Sequence, residues 1–279
     1  MRLHRSALAS AIALTVVGTP CAAQRAAAEV PYAPTPAAVV RAMLEAADVG
    51  PDDVVYDLGS GDGRIPIAAA ADFGARGVGV EIEGDLVRLA RENARAAGVA
   101  DRVSFIEHDL FLLDLHEATV VTLYLLPMIN YRLQPKLLAE LAPGTRVVSH
   151  AFDMADWNPD REFEVDGRWV FYWVVPAPVA GVWQWSIDDS SVPTHYLTLD
   201  QRFQEIDGSV RGATGDVDIL DATLTGTRLS FITETTERGE TIRTRYTARV
   251  GDGTLEGTLE VEGGTATGPR PWRATLRSP

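Results

Sequence analysis

The chain has 279 residues, a formal net charge of −14, 46% hydrophobic residues and one cysteine. That length is enough for two domains with cores of their own, and so acidic a chain repels nucleic-acid phosphates, which argues against a nucleic-acid partner. A lone cysteine, Cys21, rules out a disulfide framework and any multi-cysteine metal centre.

Residues 1–23 read as a secretory leader: a basic start through Arg2 and Arg5, a short apolar run over 6–18, and Cys21-Ala22-Ala23 before a cut. The expected location is therefore periplasmic or secreted. An uncleaved, membrane-anchored leader is the alternative, although the run is short for a span. No stable membrane insertion is expected beyond it, and the oligomeric state is left open.

The most informative stretch follows. Val54-Val55-Tyr56-Asp57-Leu58 is a β-branched strand that runs into Gly59-Ser60-Gly61-Asp62-Gly63-Arg64. Glycines admit φ > 0 and let backbone N–H groups approach a ligand, while Asp57 ends the strand with a carboxylate facing the same space. A dinucleotide fingerprint started at Gly59 needs glycine where Arg64 stands, and a phosphate-cradling loop needs a Gly-Lys pair. The single lysine is Lys136. Both phosphate readings weaken, and Asp-x-Gly-x-Gly-x-Gly is instead the pattern of class I S-adenosylmethionine (SAM)-dependent methyltransferases.

A helix over 65–73 leads to a second strand ending in Glu81, about 20 residues beyond Gly59, where a carboxylate can accept from both hydroxyls of a ribose. Asp85 is expected to cap a helix over 86–97 that Gly98 stops. A third strand over 103–109 ends in Asp109, placed to accept from an adenine amino group. A fourth strand over 118–126, a helix over 130–141 and a fifth strand over 144–152 complete the run. This alternation predicts an α/β, Rossmann-like parallel sheet with its ligand beyond the carboxyl ends of the strands. His108 and His150 stand next to such ends, where either can serve as a base, although packing is the simpler role for both. The five histidines show no metal spacing, and no metal site is expected.

Val30-Pro31-Tyr32-Ala33-Pro34, the stretch from Asp57 to Ile65 and Trp157-Asn158-Pro159-Asp160 together resemble the lysine methyltransferase family that includes the enzymes for the ATP synthase c subunit and the adenine nucleotide translocase. The resemblance covers roughly 29–176. It implies that Asp57, Gly59, Gly61, Asp62, Gly63, Glu81 and Asp109 bind SAM, with Tyr32 near the methyl channel; Ser60, in the same loop, is a further cofactor-binding candidate. An acceptor amine must be neutral, and an aromatic-lined channel favours that form, so Tyr32, Tyr124 and Trp157 are candidates for its lining and Asp62 for an orienting group. Tyr32, Asp62 and Tyr124 are the candidate catalytic residues. Asp109-Leu110-Phe111-Leu112 and Tyr124-Leu125-Leu126-Pro127 depart from the mitochondrial members, both on the acceptor side. The expected reaction is N-methylation of a lysine or other amine on a protein or small molecule.

After Pro176-Ala177-Pro178 the pattern changes to short alternating runs separated by Gly, Asp and Thr turns. In 241–250, Ile242, Thr244, Tyr246, Ala248 and Val250 share one face, and Arg243, Arg245 and Arg249 the other. About eight such runs predict a small antiparallel β-barrel of the avidin or lipocalin kind, with Trp183, Trp185, Tyr196, Phe231 and Trp272 as core. The domains expected are thus 1–23, 24–178 and 179–279. Two other readings stay open: a non-catalytic exported binding protein working through the barrel, and aminopropyl transfer, for which paired acids suited to a polyamine are missing.

Overall fold

The computed structural model describes residues 33–186, 195–212, 215–237, 239–262 and 268–277. The leader reading of 1–23 and Tyr32 lie outside the described residues. The α/β part and the barrel fall in one compact unit.

Helix α1 (Ala37–Ala46) forms on a face of Val39, Val40, Met43 and Leu44, all buried. There follow β1 (Val54–Leu58), α2 (Arg64–Phe73), β2 (Arg76–Glu81), α3 (Gly84–Ala96), β3 (Val103–Glu107), β4 (Val120–Leu123), α4 (Pro127–Glu140), β5 (Arg146–His150), β6 (Arg161–Val165) and β7 (Arg168–Val174). These strands make one seven-stranded sheet in the order β3-β2-β1-β4-β5-β7-β6. β1 to β5 pair in parallel, while β7 runs antiparallel between β5 and β6. The central strands are buried on both faces, which is why they read as unbroken Val and Leu runs.

Three local expectations are corrected. The sheet is mixed, because residues 161–174 fold back as a hairpin and pair with β5. The fourth strand stops at Leu123, since Leu125 packs under Gly59 and Pro127 opens α4. Asp85 is not the cap of α3: Glu83 holds that position, and Asp85 sits in the first turn, paired with Arg88 at 2.6 Å.

The second half is a closed eight-stranded barrel, as the alternation predicts. Its strands are β8 (Gly181–Trp185), β9 (His195–Arg202), β10 (Glu205–Gly212), β11 (Gly215–Thr225), β12 (Arg228–Glu237), β13 (Glu240–Val250), β14 (Thr254–Glu262) and β15 (Arg270–Leu276). β8 pairs with both β15 and β9, which removes the free edges. The interior is filled by side chains. Phe231 stacks on Tyr246 at 4.7 Å, Trp272 meets Tyr246 edge-on at 5.3 Å, and Trp185 meets Trp272 at 5.5 Å. Trp183, Trp185, Phe231 and Trp272 are buried, while Tyr196 is half-buried. The arginines on the outer face of β13 pair with acids, Arg243 with Glu234 at 3.0 Å and Arg245 with Glu262 at 3.8 Å.

Candidate active site

At the carboxyl end of β1 the backbone turns through three residues in the left-handed region, Gly59 (φ 82°), Gly61 (φ 52°) and Gly63 (φ 80°). A Cβ on Gly59 would lie 2.7 Å from Leu125 Cδ2, and one on Gly63 would lie 2.6 Å from Phe105 Cε1. The loop is therefore pressed onto the sheet below it, and the N-terminus of α2 begins where it ends.

Carboxylates from neighbouring strands surround this loop. Asp57 is almost fully buried, and Thr122 Oγ1 on β4 donates to its Oδ1 at 2.7 Å. Burial pushes its pKa up to about 7 and the negative charges of Glu81 and Asp62 push the same way, against the Thr122 hydrogen bond. Glu81 Oε2 accepts from Gly61 N at 2.9 Å, while its Oε1 accepts from Ile82 N at 2.8 Å and Glu83 N at 3.0 Å. That one side chain locks the middle of the loop to the end of β2. Asp62 holds Arg64 with both oxygens, from Nε at 2.9 Å and Nη2 at 2.6 Å. Ser60 Oγ is buried and has no hydrogen-bond partner among the described residues. Asp109, half-buried and two residues past the end of β3, accepts from Phe111 N at 2.9 Å.

On the other side of β1 from Glu81, the Tyr124 ring, at the end of β4, lies on the His150 ring at the end of β5, with centroids 3.9 Å apart. Phe152 stacks on Tyr124 at 6.4 Å. His150 is buried, and burial, followed by the charge of Arg168, pulls its pKa down to about 4, so the ring is neutral at pH 7. Thr35 joins the two sides: its carbonyl accepts from Arg64 Nη1 at 2.9 Å and its Oγ1 is 3.1 Å from His150 Nδ1. His108 is exposed, with Nδ1 2.9 Å from Asp109 O. Of the candidate catalytic residues, Asp62 borders the glycine loop and Tyr124 the aromatic side, while Tyr32 falls outside the described residues.

Thr122, Thr35 and the pairing of Arg64 with Asp62 were missed by the sequence reading. Thr122 had a signal, a lone hydroxyl in the otherwise apolar run Val120-Val121-Thr122-Leu123. Thr35 had none.

Comparison with known proteins decides the family. Residues 57–161 match the family model described as the ANTKMT methyltransferase domain. A Saccharolobus islandicus protein named protein-lysine N-methyltransferase is 53% identical over 138 residues, which are 49% of this chain and 86% of that protein. The chain belongs to this methyltransferase family. A mouse adenine nucleotide translocase lysine N-methyltransferase is 39% identical over 132 residues, and the chain spans 57% of its length. Among solved structures, one titled RNA methyltransferase from Salinibacter ruber, in complex with S-adenosyl-L-homocysteine, is 58% identical with a TM-score of 0.52. The match covers 53% of this chain and 96% of that one.

The methyltransferase uses SAM, and its donor set suits that ligand. A sulfonium and an ammonium are cations, and the carboxylates of Asp57, Glu81 and Asp62 gather at the loop beside the buried Ser60 hydroxyl, which has no partner among the described residues. The pKa of Asp57 makes this fit measurable. With an ordinary value of 3.8 raised to about 7, Asp57 takes up a proton on folding. Its contribution to stability is thus greatest below about pH 4 and is lost as pH rises towards 7. A cation beside it reverses the shift and expels the proton. Calorimetry of SAM binding at pH 6, run in two buffers of different ionisation enthalpy, should show release of up to about one proton per SAM, and Asp57→Asn should show none.

Proposed function

We propose that this chain transfers the methyl group of SAM to lysine side-chain amines of a protein. The likeness to the protein-lysine N-methyltransferase of Saccharolobus islandicus, over 86% of that protein, carries the reading. Asp57, Gly59, Ser60, Gly61, Gly63, Glu81 and Asp109 would hold SAM, and Asp62 would keep the loop in shape through Arg64. Bound SAM supplies a methyl group on a sulfonium, which is already a strong leaving group. What remains for the chain is to align the acceptor, exclude water and favour the neutral amine. A free lysine has a pKa near 10.4 and is charged at pH 7, so a partly apolar entrance must shed its proton. The Tyr124 and His150 rings suit that task, since ring faces also favour a methyl group drawn from a cationic sulfur.

The likeness to the Salinibacter ruber RNA methyltransferase favours RNA as a second reading. The net charge of −14 opposes it, because neutralising phosphates needs exposed cations. The test is transfer from tritiated SAM into protein and RNA extracts, followed by hydrolysis. Label in methyl-lysine is expected, and label confined to RNA would overturn the proposal. Self-labelling adds little background, because Lys136 is the single lysine and is ion-paired to Glu140 at 2.6 Å.

A further inference from the structure

The barrel reaches the methyltransferase half through the turn between β9 and β10. Phe203, at φ 55°, packs against the core of the α/β half and stacks on Trp157 at 6.0 Å. The fully buried Trp157 donates from Nε1 to Gln204 Oε1 at 2.9 Å, and Gln204 Nε2 donates to Asn158 O at 2.6 Å. Arg202 Nη2 pairs with Asp156 Oδ2 at 3.0 Å.

The segment so held, residues 151–158, continues directly from His150 and includes Phe152, the two rings that face Tyr124. Its other side is tied to α4. Asn130 Nδ2 donates to Phe152 O at 3.2 Å and Asp153 O at 3.1 Å, while Gln134 Nε2 donates to Asp156 Oδ1 at 3.2 Å. Ala151 (φ 68°) and Ala155 (φ 55°) take left-handed conformations that side chains rarely adopt. Such strain persists only where the surroundings over-determine it. Here α4 supplies one set of restraints and the barrel the other.

We propose that the β9–β10 turn of the barrel sets the acceptor wall of the methyltransferase, with Gln204 and Arg202 as positioning residues acting through residues 151–158. This rests on the proposed methyl transfer only in taking the Tyr124 side of the crevice as the acceptor side. The barrel then serves the reaction from outside, which accords with an interior already filled by aromatic side chains. The glycine loop is anchored by β2, through Val80 O and Glu81, and by α3, where Asn93 Nδ2 donates to Asp62 O at 2.9 Å, contacts that do not involve the barrel, so SAM binding is separable from the effect.

The experiment uses the full chain with Gln204→Leu, which removes both hydrogen bonds at similar size, Gln204→Glu, which keeps the Trp157 bond, and the exposed Arg202→Ala. Three quantities are read: SAM affinity by calorimetry, amide exchange in 151–158, and the apparent kcat and KM for tritium transfer into a protein extract. For Gln204→Leu, SAM affinity should stay within about twofold, exchange should rise and kcat/KM should fall, each by about tenfold, because small misplacement of a reacting partner is costly. Gln204→Glu should recover part of the loss, and Arg202→Ala should show a smaller change in the same direction. Unchanged exchange, or faster exchange with unchanged kcat/KM, would overturn the inference. Label found outside methyl-lysine would instead sink the lysine reading and leave the comparison of variant with parent intact.

Discussion

Replacing Glu81 with alanine should weaken SAM binding by about 10- to 100-fold, on the scale of roughly 1.5–3 kcal/mol for a hydrogen bond to a charged group. The carboxylate has two tasks. It faces the crevice, and it accepts from Gly61, Ile82 and Glu83 N–H groups at 2.8 to 3.0 Å. Alanine removes the acceptor for the ligand and also frees the centre of the loop. Glu81→Gln keeps one carbonyl oxygen and should lie between parent and alanine. Calorimetric titration checks this, and a Glu81→Ala protein that binds SAM as tightly as the parent would remove Glu81 from the site. The loss should be independent of the acceptor, since Glu81 ends β2, on the opposite side of β1 from β4 and β5, whose ends carry the Tyr124 and His150 rings.

The second large effect is on stability. Gly63→Ala forces a side chain into φ 80°, with its Cβ 2.6 Å from Phe105 and 2.8 Å from Ala90. Left-handed backbone costs roughly 1–2 kcal/mol and overpacking about 1–3 kcal/mol more, a total that should lower Tm by about 5–15 °C. Gly98→Ala is the matched control: its φ is 72° but nothing lies within 4 Å of the new Cβ. That variant should lose only the backbone part, about 1–2 kcal/mol. Equal losses from the two, in thermal unfolding followed by circular dichroism, would show that Phe105 and Ala90 yield without cost. Because Gly63 is part of the loop, Gly63→Ala should also weaken SAM binding, whereas Gly98→Ala should leave it unchanged.

The α/β half was legible in the sequence because its signals are short-range. Strand, glycine loop, helix and acid recur within a few tens of residues, and each is fixed by periodicity or by a backbone need for φ > 0. Barrel strands were legible for the same reason, since alternation in 241–250 reports which face is buried without any knowledge of the partner strand. The hairpin β6–β7 went unread even though Arg161-Glu162-Phe163-Glu164-Val165 alternates cleanly. What that alternation lacked was any statement of where the hairpin pairs.

The amino-acid sequence by itself determined the succession of elements from β1 to β5, the acids at the strand ends, the family resemblance and the eight-stranded character of the second half. Tertiary structure alone decided that β7 closes on β5, that Asp62 is taken by Arg64, that His150 is buried neutral under Tyr124, and that Trp157 is held by Gln204 from the barrel. Apart from the Asp62–Arg64 pair, whose members are two residues apart, each of these is a partner choice across distant parts of the chain. Local patterning records whether a side chain is buried, but the hydrogen-bond partner that burial requires is selected by packing, which leaves no mark in the neighbouring residues.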